Sequence, residues 1–92
     1  MMRKLCMIKV DQETGAKVAG ARFRLTNKAN NQIMIEFDTI SDCYDYEVPY
    51  GTYVLEEITP PTHYQKTNQI AEVTVNSESP RNIELKIANP PY

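Results

Sequence analysis

The chain has 92 residues, formal net charge -2 and charged residues of both signs spread along its length. That leaves room for one domain with a modest core, and it excludes the clustered basic face of a nucleic-acid binder. No apolar run reaches membrane-spanning length, and the basic start Met1–Leu5 has no apolar stretch behind it, so it is not a signal peptide.

From the N-terminus on, the chain alternates with period 2, the mark of half-buried strands. In the first run Leu5, Met7 and Lys9 alternate with Cys6, Ile8 and Val10. Turn residues Glu13-Thr14-Gly15 and Ala19-Gly20 follow, then a second run with Ala21, Phe23 and Leu25 on one face. Asn27 to Asn31 separate it from a third, in which Ile33, Ile35 and Phe37 are expected to share a face. Tyr44, Tyr46 and Val48 form the fourth, Tyr53, Leu55 and Glu57 the fifth, and Pro49-Tyr50-Gly51 turns between them. After Thr59-Pro60-Pro61-Thr62 come Ala71, Val73 and Val75, and after Asn76 to Pro80 come Ile83, Leu85, Ile87 and Asn89. Seven short strands with regular turns and no amphipathic helix predict an all-β sandwich or barrel.

Alternation places three polar residues at the ends of apolar stripes. Lys9 continues the face of Leu5 and Met7, Glu57 that of Tyr53 and Leu55, and Asn89 that of Ile83, Leu85 and Ile87. Inward-facing charges are rare unless paired. Each of these residues either sits at the rim, as a snorkelling lysine, an ion-pair partner and a strand terminator, or the three meet. If they meet, burial disfavours the charged forms of amine and carboxyl. A neutral Lys9 amine is a nucleophile and the Asn89 carboxamide an electrophile. Glu57 would act as acid-base catalyst, polarising the carbonyl and moving protons. The product is an amide between Lys9 and Asn89, with ammonia released.

Cys6 and Cys43 are too far apart for a Cys-x-x-Cys metal motif, and His63 is the only histidine, so no metal or other cofactor is expected. The cysteines admit one disulfide or two free thiols, since spacing does not decide Cα geometry. A lone His63 offers no Ser-His-Asp logic, and no nucleotide-binding loop exists, which argues against a turnover enzyme.

At these residues the chain resembles the collagen-adhesin B-type (CnaB) domains, also found as pilin domains of Gram-positive bacteria. The resemblance rests on Lys9-Val10-Asp11, Thr14-Gly15, Ala19-Gly20-Ala21-Arg22-Phe23-Arg24-Leu25, Gly51-Thr52-Tyr53-Val54-Leu55-Glu56-Glu57 with Pro60-Pro61 and His63-Tyr64, and Ile83 to Asn89. His63 stands where the family has glycine, and two cysteines are unusual in it. The resemblance implies one domain over residues 1–92, built as a prealbumin-like (inverse immunoglobulin) β-sandwich of about seven strands and taken from a larger surface protein. It implies a self-forming isopeptide bond between Lys9 and Asn89 with Glu57 as the catalytic carboxylate, Glu56 pointing outward. The implied role is a structural stalk or pilin domain, extracellular and held to the cell wall through other parts of the parent. No Leu-Pro-x-Thr-Gly sorting motif occurs in the chain itself. Partners are then neighbouring domains of the same protein. The alternative is an adhesive module for a host protein or glycan, with Tyr44, Tyr46, Tyr50 and Tyr64 as its aromatic surface.

Overall fold

The computed structural model describes residues 1–92 and contains seven strands and no helix. They are β1 (Met2–Asp11), β2 (Arg22–Asn27), β3 (Gln32–Asp38), β4 (Tyr44–Pro49), β5 (Gly51–Thr59), β6 (Ile70–Val75) and β7 (Asn82–Asn89). A three-stranded sheet of order β4-β1-β7 packs on a four-stranded sheet of order β3-β2-β5-β6. The fold is therefore the expected sandwich of two sheets. All neighbours are antiparallel except β1 and β7, which run parallel from Lys4↔Asn82 to Asp11↔Asn89.

The inner faces close over Leu5, Met7, Phe23, Leu25, Val48, Tyr53, Leu55 and Ile87, all fully shielded from water. These are the inward positions of the alternating runs, so the hydrophobic period recovers most of the core, although Ile8, of the opposite parity on β1, is buried as well. Tyr53 is the largest of them, and its hydroxyl donates to the Pro49 carbonyl at 2.7 Å. Its ring folds back over the preceding glycine, where a Cβ on Gly51 would lie 3.3 Å from the Tyr53 hydroxyl oxygen. That close approach accounts for glycine two residues before the tyrosine.

One face differs from the period-2 expectation. Opposite β2 the register slips between Leu25 and Thr26, so that Leu25 faces Ile35 while Thr26 faces Ile33. Met34 is the extra residue of a β-bulge, and it moves Ile33 off the core face of Ile35 and Phe37. Ile33 is accordingly exposed.

Candidate functional site

Lys9, Glu57 and Asn89 converge between the two sheets, at the end where β1 and β7 finish. Lys9 and Asn89 are completely withdrawn from solvent, and Glu57 is 6% exposed. The parallel pairing of β1 with β7 puts the Lys9 and Asn89 ends side by side, and β5 brings Glu57 from the facing sheet. The neighbouring Glu56 points the other way, 3.6 Å from the Arg24 guanidinium on the outer face.

The Glu57 carboxyl bridges the other two residues. Its Oε1 lies 3.5 Å from Lys9 Nζ, and its Oε2 accepts from Asn89 Nδ2 at 2.9 Å and from the Thr67 backbone N–H at 3.2 Å. Lys9 Nζ also donates to the Ile87 carbonyl at 3.1 Å. Burial lowers the Lys9 ammonium from 10.5 to about 8, and the Glu57 charge only partly opposes this. The Asn89 Oδ1 and Glu57 Oε1 atoms are buried without a hydrogen-bond partner. Glu57 thus touches the amide nitrogen of Asn89, not the carbonyl oxygen that the sequence reading expected it to polarise.

A second acceptor holds that nitrogen. Asn89 Nδ2 donates to the Gln65 backbone carbonyl at 2.7 Å. Gln65 belongs to the irregular segment between β5 and β6, and sequence reasoning missed it because a backbone carbonyl carries no residue signature. The turn into this segment holds His63 at φ 73°, a left-handed conformation natural to glycine. The Tyr64 hydroxyl donates to Asp11 Oδ2 at 2.8 Å, so the Lys-x-Asp and His-Tyr motifs of the sequence are in direct contact.

Cys6 and Cys43 are joined as a disulfide, with Cα atoms 5.1 Å apart and a sequence separation of 37. It fastens β1 to the start of the edge strand β4, on the face away from the Lys9 cluster. Of the four tyrosines considered as a binding surface, Tyr44 stacks on Phe37 at 4.2 Å and Tyr46 donates to the Met34 carbonyl at 3.3 Å. Tyr50 lies under the Arg3 guanidinium at 5.3 Å, and Tyr64 is held by Asp11. They do not form one aromatic patch.

No curated protein matches this chain. Among solved structures, the major pilin subunit BcpA of Bacillus cereus aligns with all of it at 20% identity and TM-score 0.85, over 31% of that chain. The group B streptococcus pilus 2b backbone protein aligns with 97% of it at 19% identity and TM-score 0.75, over 41% of that chain. A C-terminal fragment of the pilus adhesin SpaC from Lactobacillus rhamnosus GG aligns with 98% at 18% identity and TM-score 0.74, over 45% of that chain. The chain thus spans less than half the length of these structures, and at such identity the likeness is one of fold. The family model for the SpaA prealbumin-like fold domain matches residues 3–90, nearly the whole chain, and the chain belongs to that family.

Proposed function

We propose that this chain is one structural domain of a longer Gram-positive surface or pilus protein, locked by a bond that forms by itself between Lys9 and Asn89. The observation that carries the reading is the two-sided contact of Glu57, with one oxygen toward the amine and the other on the amide nitrogen. The named pilus proteins that share the fold support the setting. With no aromatic patch in view, the structural role is preferred to the adhesive one.

The geometry suits a general-base mechanism. Glu57 Oε2 already accepts from two N–H donors, which leaves Oε1, facing the amine, to take a proton. Neutral Lys9 Nζ attacks Asn89 Cγ, and the proton it sheds passes to Glu57 Oε1. The same carboxyl returns a proton to Asn89 Nδ2, the Cγ–Nδ2 bond breaks, and ammonia leaves. The products are one Nζ–Cγ amide, one ammonia and a restored carboxylate. Contact between fixed groups supplies roughly 7–11 kcal/mol of the barrier reduction, and escape of ammonia removes the co-reactant of the reverse step.

Such a bond would carry load. Tension entering at the N-terminus would run along β1, already extended over about 33 Å of a molecule 40 Å long. It would cross from Lys9 to Asn89 and leave at the C-terminus without passing through β2 to β6. The test is the intact mass of the denatured, reduced protein. A mass short of the sequence by one ammonia is expected, and the full sequence mass would remove the bond.

A further inference from the structure

The proposed reaction needs the Asn89 carboxamide in one orientation, with its nitrogen toward Glu57. Glu57 does not dictate this throughout, because as the ionised base it only accepts, but once it holds the Lys9 proton it can also donate and so tolerates either end of an amide. A backbone carbonyl only accepts. The Gln65 carbonyl, 2.7 Å from Asn89 Nδ2, therefore sets which end of the amide faces the carboxyl. A flipped amide would set Oδ1 against an acceptor that cannot become a donor.

Gln65 lies outside any strand, so its position depends on the contacts of its own segment. On one side the segment clasps the chain just after Asn89. Gln65 N–H donates to the Pro90 carbonyl at 2.9 Å, Gln65 Nε2 to the Pro91 carbonyl at 3.1 Å, and Tyr92 N–H to the His63 carbonyl at 3.2 Å. On the other side the link to β1 is the Tyr64 hydroxyl on Asp11. Asp11 is itself fixed, since its Oδ1 accepts from the Glu13 and Thr14 N–H groups at 2.7 and 3.0 Å. It stands two residues after Lys9 on the same inward face and pairs in register with Asn89. One hydrogen bond thus ties the strand of the nucleophile to the segment that orients the leaving group.

We infer that Tyr64 and Asp11 are positioning residues for the cross-linking step, holding the Gln65 carbonyl where it fixes the Asn89 amide with its nitrogen toward Glu57. The inference rests on the proposed Lys9–Asn89 reaction. Removing the Tyr64 hydroxyl leaves every reacting atom in place and takes away the link between the orienting segment and the strand of the nucleophile.

Two measurements on the 92-residue chain test it. In the first, the chain is made by cell-free synthesis and ammonia loss is followed by intact mass with time. Tyr64→Phe and, from the other side of the contact, Asp11→Ala are expected to slow the loss roughly ten- to a hundredfold, the scale of a small misplacement. In the second, Lys9→Met supplies a chain that cannot react. In it the Asn89 side-chain NH₂ protons are expected to exchange slowly with solvent, and Tyr64→Phe in that background is expected to abolish the protection while the strand amides stay protected. If the unsubstituted chain never loses ammonia, the proposed function fails and this inference goes with it. If that chain reacts and both variants keep its rate, the positioning role is overturned while the reaction stands. Slowed variants whose Asn89 protons remain protected also overturn it, because the defect then lies elsewhere.

Discussion

Glu57 Oε1 lies 3.5 Å from Lys9 Nζ, with both side chains wholly withdrawn from solvent. A buried ion pair is seldom retained for stability, since well-packed apolar residues usually do as well. In the proposed reaction its value lies in the neighbouring carboxamide of Asn89, which would turn a charge pair into a base and nucleophile facing an electrophile.

The first prediction removes the base. Glu57→Gln and Glu57→Ala should both retain the ammonia, whereas the unsubstituted chain should lose it. Denaturant unfolding of either variant should show a loss on the order of 4–5 kcal/mol, the loop-closure effect of joining residues so far apart in the chain. Ammonia loss from the glutamine variant would show that proximity suffices without a proton carrier.

The second concerns pH. The folded Lys9 titrates near 8, against 10.5 in an open chain, so burial favours the reactive neutral amine. Below that value the neutral fraction grows about tenfold per pH unit. The rate of ammonia loss should rise accordingly up to pH 8 and level off above it. A rate that falls through pH 8 would mean that the reactive form carries one more proton, as when a protonated Glu57 polarises the carbonyl. The same shift has a stability consequence in Asn89→Ala, which cannot react. Between about 8 and 10.5 its unfolded chain holds the Lys9 proton and the folded one does not. Its stability should therefore rise with pH across that window.

The third concerns the disulfide. Reducing Cys6–Cys43, which spans 37 residues, should destabilise the Glu57→Gln chain by about 4 kcal/mol on the chain-entropy model. An unfolding midpoint indifferent to reductant would show that the bond adds nothing to the fold.

Under force, the two covalent links should separate. The unsubstituted chain, held by its termini, should give no unfolding step. Lys9→Met should extend, and adding reductant should lengthen its step by about 130 Å, the sequence separation of 37 between the cysteines at about 3.5 Å per step. Single-molecule stretching reads all three states. A full-length step in the unsubstituted chain would refute the proposed load path.

The last prediction is local. His63 sits at φ 73°, where a Cβ is strained and glycine is not. His63→Gly should raise stability by about 0.5–1 kcal/mol, the left-handed penalty less the extra entropy glycine loses on folding. Thermal unfolding checks it, and a fall in midpoint would mean that the imidazole makes a contact worth more than the strain.

Much of this site was legible in the linear sequence because strand parity is local. Lys9 follows Leu5 and Met7 inward, Glu57 follows Tyr53 and Leu55, and Glu56 is turned out by the same rule. Ile33 shows the limit. One unpaired residue, Met34, reversed its face, and nothing in the alternation marks a bulge. The Gln65 carbonyl was invisible for a different reason, since every residue has a carbonyl and only folded geometry selects one.

By itself, the sequence determined seven strands, most of their inward faces and the three polar residues that end the apolar stripes, because hydrophobic period and turn chemistry act within a few residues. Tertiary structure alone decided that those stripes finish at one end of the sandwich, through the parallel register of β1 with β7 and the facing of β5. It also decided that Glu57 meets the nitrogen of Asn89, that Tyr64 meets Asp11 and that Cys6 bonds to Cys43. Each of these joins residues 32 or more positions apart, where only the packing of whole strands determines what touches.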